Sequence, residues 1–300
     1  MIVLRGLLLF LMTNLAIASP WMTGPLLAPN GKTIPKHHVN IEPYFFYSLY
    51  SGAYRNLEVT PVITAGLTDF MDIQVATPFD ANWSNGRQAS AIGDASLGLG
   101  FQVFRQKEHG VMPNLRVVFQ QVFPVGQYEL LDPQLFGVDQ TGLGSYQTLL
   151  AFNFQDLSEI KGGHYLRTRL SLVGASYSSV HVKGVNTFGG NPVTEGNVRL
   201  GNGYSADLAF EYTLTQNWVP VVEALYVWSG GVGFIGNPGF TPGGTVDSLA
   251  GKGGEQLSLA PALEYNFSPN FGIIGGVWFS ASGPPSSQFT SYTLAFNYYF

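Results

Sequence analysis

Arginine and carboxylate side chains recur within segments in which polar and apolar residues alternate. Arg116, Arg167 and Arg169 lie in such segments, and acidic residues occupy similar positions in others. A guanidinium group can bind a carboxylate through two parallel hydrogen bonds. We therefore expect these side chains to meet in one mixed layer of ion pairs, held together by Arg167 and Arg169. The candidate residues for this layer, or for a narrow point of an enclosed interior that these side chains would surround, are Glu42, Asp72, Arg116, Arg167, Arg169, Glu211, Glu223 and Glu264.

Patterns for catalysis, metal binding or a cofactor are missing from the sequence. A Ser–His enzyme with its site on the outer face of a sheet would need a histidine at an outward strand position, and no clearly assigned position of that kind holds one. Neighbouring residues in an extended chain point in opposite directions, so His37 and His38 make a weak metal site. The glycine pairs carry no phosphate-binding pattern. We predict no enzyme, no catalytic residue, no metal and no cofactor.

The composition indicates a surface with few charged side chains. The chain has 300 residues and no cysteine, and it is 11% charged, 45% hydrophobic and 14% aromatic. An ordinary soluble domain is about a quarter charged. The lack of cysteine excludes a disulfide scaffold and cysteine-bound metals. A net charge of −5 with 14 lysines and arginines gives no basic surface for nucleic acid. A surface that faces lipid fits these values.

The first residues have the layout of a secretory signal peptide. Arg5 precedes an apolar stretch, and Ala16 and Ala18 form a small-residue cleavage site. The stretch is shorter than the roughly 20 residues that a spanning helix needs. We predict a signal peptide over 1–18. The rest of the chain has no apolar run long enough for a spanning helix, which leaves a closed β-barrel as the way to cross a membrane.

The end of the chain gives the clearest strand. In residues 290–300, one face is polar or small, apart from Tyr299, and the other is apolar and aromatic, as in a transmembrane strand. The apolar face ends on a terminal phenylalanine, so it resembles the signal that the barrel assembly machinery recognises. This predicted assembly signal consists of Tyr292, Leu294, Phe296, Tyr298 and Phe300.

The same alternation predicts a single antiparallel transmembrane β-barrel over 38–300. Short turns are expected at its periplasmic end, and longer loops near 82–91, 126–142, 183–196 and 230–253 are expected outside. The twelve predicted strands are 39–50, 56–67, 70–81, 92–104, 113–125, 143–155, 164–182, 197–213, 217–229, 254–267, 270–282 and 289–300.

Residues 19–37 precede the first predicted strand and contain four prolines. They are expected to form either an extended periplasmic tail or a plug in the lumen. Among the aromatic residues, Tyr44, Phe46 and Tyr299 are predicted to face inward, which would give aromatic solutes a path, or to pack against the tail or loops. The tryptophans expected in the interfacial girdles are Trp83, Trp218, Trp228 and Trp278.

The charged layer has two interpretations. The charges could select or gate solutes, or they could neutralise one another and fill a narrow barrel. A twelve-stranded barrel is wider than the filled eight-stranded barrels and narrower than open porins. We favour mutual neutralisation as the larger part of their role.

Four short motifs, in this order, resemble a bacterial outer-membrane family. They are GLTDFMDIQV (66–75), GDASLGLG (93–100), PNLRVVF (113–119) and FPVG (123–126). The family is the one named for the meta-pathway of phenol degradation, and the resemblance spans most of the chain after the signal peptide. It implies a barrel that passes aromatic or other hydrophobic small molecules.

These features predict an outer-membrane channel for small molecules in a Gram-negative bacterium. Its expected partners are outer-membrane lipid, the barrel assembly machinery and a small-molecule solute, with no nucleic acid. The alternative is a structural or surface-binding protein that acts through its outer loops and has a closed lumen.

Overall fold

A computed structural model describes residues 20–300, apart from residues 108, 109, 161 and 242. The predicted cleavage site at Ala16 and Ala18 therefore lies outside the described residues, as does His109. No helix within the described part of the chain is long and apolar enough to cross a membrane.

Twelve antiparallel strands close into one barrel, which confirms the predicted fold class. Three of the twelve are each interrupted once, so that the barrel contains fifteen of the strand segments. In chain order the segments are β1 (Val39–Tyr50), β2 (Arg55–Thr68), β3 (Met71–Ala76), β4 (Phe79–Ser84), β5 (Arg87–Ile92), β6 (Ala95–Phe104), β7 (Asn114–Phe123), β8 (Gln147–Ile160), β9 (His164–Tyr177), β10 (Val180–Lys183), β11 (Glu195–Leu200), β12 (Gly203–Tyr212), β13 (Trp218–Ser229), β14 (Val232–Asn237), β15 (Gly254–Leu259), β16 (Ala262–Ser268), β17 (Phe271–Ser282) and β18 (Phe289–Tyr299).

The interruptions fall where the backbone cannot continue the ladder. Pro78 separates β3 from β4, and Pro261 separates β15 from β16. Proline has no N–H to donate, so it is found at edges and irregular points of a sheet. The third break, between β5 and β6, falls at Gly93 and Asp94, where Gly93 donates its N–H to the carbonyl of Pro78 at 2.8 Å. This hydrogen bond joins the break at Pro78 to the break at Gly93 on the adjacent strand.

The barrel closes where the first strand meets the last. β1 pairs with β2 on one side and with β18 on the other, so that Phe45 lies opposite both Val59 and Leu294. The N–H of Val39 donates to the carbonyl of Phe300 at 2.8 Å, and the reverse bond is 3.0 Å long. Closure satisfies the backbone groups that an open sheet would expose to lipid.

Side chains alternate between lipid and lumen along the strands. In β18, Tyr292 and Leu294 are exposed on the outer face, whereas Ser291 and Thr293 are buried inside. Large apolar residues are therefore exposed because their solvent is lipid. The five residues of the predicted assembly signal all lie on this outward face.

The two ends of the barrel differ in their connections. Both ends of the barrel sequence, at Val39 and Phe300, lie at the end that carries the short connections, which we assign to the periplasm. The other end carries three long loops, at 124–146, 178–202 and 230–253. These loops contain a separate three-stranded sheet, in the order β10-β11-β14.

Two of the predictions for the outer end are wrong. The sequence predicts a long loop over residues 82–91, but they belong to the β4–β5 hairpin. Asn85 and Gly86, with φ of 49° and 76°, make the tight turn that joins the two strands. The predicted strands 164–182 and 197–213 each end early at this end. Their outer parts join the three-stranded sheet, whose buried Val180, Val182 and Val198 preserve the alternation that made each strand look continuous.

Candidate functional site

All eight candidate residues of the charged layer lie on inward-facing positions of the barrel wall. Seven of them are buried, and Glu42 is half-buried. They belong to seven different segments, so that only closure of the barrel brings them into one space.

Arg116 and Asp72 form one ion pair across an intervening strand. The Arg116 Nη2 and Nε atoms lie 2.6 Å and 3.1 Å from the two Asp72 carboxylate oxygens, a bidentate arrangement. Arg116 is on β7 and Asp72 on β3, with β6 between them. β6 places Gly100 below the pair, where a Cβ atom would overlap both side chains. The missing side chain therefore gives the pair its room.

Glu211 binds two arginines. Its Oε2 atom accepts from Arg167, and its Oε1 atom lies 3.2 Å from Nε of Arg169. All three side chains are buried. The structure thus brings together five of the candidate residues as two ion-paired groups, Asp72 with Arg116 and Glu211 with the other two arginines.

The other two buried candidates, Glu223 and Glu264, accept hydrogen bonds from backbone groups. Residues 20–36, called here the N-terminal segment, lie in the lumen against the inner wall. The N–H groups of Thr23 and Gly24 donate to Glu264, and those of Leu27 and Ala28 donate to Glu223. Sequence patterns could not reveal these contacts, because they depend on main-chain N–H groups of a segment without periodicity.

Other wall groups extend this contact along the segment. Ile34 donates its N–H to Asp72 at 3.0 Å, and Thr33 donates to the Gln102 side chain at 2.8 Å. In the reverse direction, Arg167 donates to the carbonyl of Met22 at 3.2 Å, and Arg169 donates to that of Ala28 at 3.1 Å. The ion-paired arginines therefore also hold the N-terminal segment.

One apolar side chain anchors the segment as well. Leu26 is 1% exposed and packs in a cluster with Val219, Val221 and Ile274. The same segment carries Lys32, whose pKa is lowered by burial and by the nearby guanidinium groups of Arg167, Arg105 and Arg169. Lys32 therefore lies near the guanidinium groups that also bind the segment.

The lumen beside the N-terminal segment contains a cavity of about 530 Å³. It lies between the segment, the first strands and β18, and it also reaches the ion-paired arginines of β7 and β9. The wall residues that line it include Glu42, Tyr44, Phe46, Asp72, Arg116, Arg167, Arg169 and Tyr299.

Four aromatic side chains run from the outer end of this wall toward its middle; we call them the aromatic column. The ring of Phe289 lies 4.7 Å from that of Trp278, which lies 6.2 Å from Phe46, and Phe46 stacks on Tyr44 at 5.9 Å. Nearer the periplasm, Tyr299 stacks on His38 at 5.1 Å. The inward positions of Tyr44, Phe46 and Tyr299 agree with the alternation in their strands.

The interfacial position expected for Trp278 is wrong. Its Nε1 atom donates to the inward hydroxyl of Ser258 at 2.8 Å, whereas Trp83, Trp218 and Trp228 face outward. β17 is rich in glycine, including Gly272, Gly275 and Gly276. Glycine obscures the alternation that would have given the correct face.

Three carboxylates of β1, β2 and β4 have hydrogen-bond donors but no cationic partner among the described residues. Asn297 donates to Glu42 at 2.8 Å, and Thr60 donates to Glu58 at 2.6 Å. Asp80, opposite Glu58 in the strand register, accepts from Asn56 at 2.8 Å. These carboxylates are therefore satisfied by neutral donors.

Comparison with solved structures shows that the fold is similar to that of a known outer-membrane channel. The COG4313 outer membrane channel from Pseudomonas putida F1 has a TM-score of 0.67 and 14% sequence identity, over 91% of this chain and 100% of that one. The NanC porin has a TM-score of 0.44 and 9% identity, over 86% of this chain and 98% of that one. The KdgM porin in complex with disordered oligogalacturonate has a TM-score of 0.40 and 9% identity, over 86% of this chain and 99% of that one. No protein-family model and no curated protein sequence matches the chain.

Removal of Glu211 tests the ion-paired group around it. We expect Glu211→Gln to lower the free energy of unfolding by about 3–5 kcal/mol, because two buried guanidinium groups would lose their counter-charge. Arg169→Ala is expected to cost less, because Glu211 keeps Arg167. Urea titration of the barrel in lipid vesicles measures both values.

Glu195→Gln provides the control for this experiment. Glu195 pairs with Lys183 at 3.3 Å on the exposed outer sheet. Its loss should cost less than about 1 kcal/mol. Equal losses for the Glu211 and Glu195 variants would contradict the role given to the buried group.

A single introduced cysteine tests how the N-terminal segment is held. The chain has no cysteine, so Leu26→Cys gives one labelling site. We expect it to resist a maleimide reagent in the folded barrel. Adding Glu223→Ala and Glu264→Ala removes the acceptors of the segment's N–H groups and should speed labelling by about tenfold or more.

Ser248→Cys, on an exposed outer loop, controls for the reagent and for folding. It should react at the same rate with and without the two glutamate substitutions. Unchanged protection of Leu26→Cys in the triple variant would show that the carboxylates do not hold the segment.

Proposed function

We propose that this protein is an outer-membrane channel that passes small molecules, with aromatic or other hydrophobic compounds as its favoured solutes. The observation that carries the proposal is the aromatic column beside the cavity. Aromatic rings bind other rings in offset or edge-to-face geometry, with about 0.5–1.5 kcal/mol beyond the area buried. The column therefore offers a flat apolar solute several neighbouring sites.

The position of the column supports passage along the lumen. Phe289 lies at the start of β18, next to an outer loop, and Tyr44 lies in the middle of β1. Beyond Tyr44, Asn297 and Glu42 lead to Tyr299. A solute that leaves one ring would find the next within a short distance, so that binding at each site stays weak enough for movement.

Charges of both signs line the cavity, so that charge alone does not select the solute. Glu42 lines it, and so do the guanidinium groups of Arg105, Arg116, Arg167 and Arg169. Selection for aromatic compounds therefore rests on the aromatic column. The resemblance to the family named for phenol degradation agrees with this solute class.

The chain would reach this membrane by export and assembly. In the proposal, the signal peptide over 1–18 directs export and is removed after Ala18. The outward face of β18, from Tyr292 to Phe300, then serves as the signal for the barrel assembly machinery of a Gram-negative cell. The exposed apolar wall contacts outer-membrane lipid.

A structural or surface-binding protein with a closed lumen is the second candidate. The occupied lumen favours it, because the N-terminal segment fills one side. At the outer mouth, Asn82 donates to the carbonyls of Val138 and Gln140 at 3.0 Å and 3.1 Å, which draws the 124–146 loop toward the interior. In this case the outer loops would carry the function.

Single-channel recording of the folded mature chain tests the proposal. We expect a steady conductance that phenol reduces. Phe46→Ala should raise the phenol concentration for half block about two- to tenfold, because one ring of the column is lost.

Phe45→Ala is the matched control, because Phe45 is the next residue in β1 and packs on the outward ring of Phe296. It should leave the block by phenol unchanged. Equal effects of the two substitutions would contradict the aromatic path. A folded barrel without conductance would contradict the channel and favour the closed-lumen candidate.

A further inference from the structure

A second cavity of about 530 Å³ lies near the outer end of the barrel. It is a groove at the ends of β1, β2, β4 and β5, and we call it the rim groove. The residues that define it are Tyr47, Arg55, Trp83, Arg87 and Gln88. It is separate from the cavity in the lumen and shares no lining residue with it.

The strand register places Tyr47, Arg55, Trp83 and Gln88 on the lipid-facing surface, whereas Arg87 lies opposite the inward-facing Ser84 at the tip of the β4–β5 hairpin and lines the groove from there. Asn56 and Asn82 point inward, where Asn56 donates to Asn82 at 2.8 Å. Their neighbours Arg55 and Trp83 therefore point outward, and the two lie opposite each other in the β2–β4 pairing. Gln88 is next in the row, opposite Trp83, and accepts from its Nε1 atom at 3.2 Å.

The two arginines of the rim groove lack a carboxylate. Arg55 and Arg87 are exposed, and neither forms an ion pair with any described residue. Arg116, Arg167 and Arg169 in the lumen, by contrast, are each paired with Asp72 or Glu211. A lipid-facing arginine costs about 2–4 kcal/mol at the bilayer midplane and close to nothing at the interface. Arg55, at the outer end of β2, thus lies near the membrane interface, where an exposed arginine costs little free energy and anionic lipid head groups are present.

The wall below the groove is apolar. One row toward the midplane lie Tyr47 and Leu57, and the next row contains Phe45 and Val59, which are opposite each other. Aromatic residues such as Trp83 and Tyr47 are typical of the level of the head groups. The groove therefore has positive charge above a surface suited to acyl chains.

We propose that the rim groove binds the phosphorylated head group of an outer-leaflet glycolipid. The outer leaflet of a bacterial outer membrane consists largely of lipid A, a phosphorylated disaccharide with acyl chains. Arg55 and Arg87 bind its phosphates, since guanidinium groups bind phosphate oxygens through paired hydrogen bonds. Trp83 and Tyr47 contact the sugar rings, and the acyl chains follow the apolar rows below.

Titration of the folded protein in detergent with bisphosphorylated lipid A tests the proposal. The double variant Arg55→Ala and Arg87→Ala should bind it roughly tenfold to a hundredfold more weakly, because two charge-assisted contacts are lost. Replacing both arginines by lysine should give an intermediate affinity. The control is Arg199→Ala, an exposed arginine on the outer sheet at the same end, which should leave the affinity unchanged.

The native protein supplies an independent comparison that does not require the variants to fold. Lipid A without its phosphates should bind much more weakly than the bisphosphorylated form, and inorganic phosphate at low millimolar concentration should not displace the latter. Equal affinity of native and double-variant protein, or of the two lipids, would overturn the proposal. Displacement by inorganic phosphate would assign the groove to a soluble anion instead.

Discussion

The structure depends on one constraint, which is that lipid offers no hydrogen bonds to the backbone. A sheet in a membrane must therefore close, and here the bonds between Val39 and Phe300 complete the ring. Closure separates an outer face for apolar residues from an inner face for polar ones. Because the charged side chains of the inner face are buried between the wall and the N-terminal segment, each of them needs a partner. The pairing of Arg116 with Asp72 and of Glu211 with two arginines meets that need within the wall.

The N-terminal segment meets the same need from outside the wall. Glu223 and Glu264 have no arginine of their own, and they accept from four main-chain N–H groups of the segment. A strand could not provide these donors, because its N–H groups are already used in the ladder. The segment has free N–H groups for the carboxylates because it contains prolines and stays outside the sheet. The N-terminal segment thus lies in the lumen because the wall carboxylates need donors and the segment's N–H groups need acceptors.

The sequence predicts the barrel well and its contents poorly, for a physical reason. Alternation is a property of each strand alone, so the face of Phe46 or Arg169 can be read without knowing any neighbour. The partners of Glu223, or the room that Gly100 leaves for an ion pair, depend on strands far apart in the chain. Alternation also misleads where a loop buries one face of a sheet of its own, as at Val182, and where glycine hides it, as around Trp278.

The contents of the lumen depend on an excess of carboxylates over arginines among the inward side chains. Asp72 and Glu211 pair with the three buried arginines, and Glu223 and Glu264 accept from the N-terminal segment. Glu42 and Glu58 are satisfied by neutral donors, which need no bulky partner. Space therefore remains between the segment, the arginines and the first strands, and the inward rings of Tyr44 and Phe46 line it. The filled and the open parts of the lumen are thus consequences of one distribution of charge.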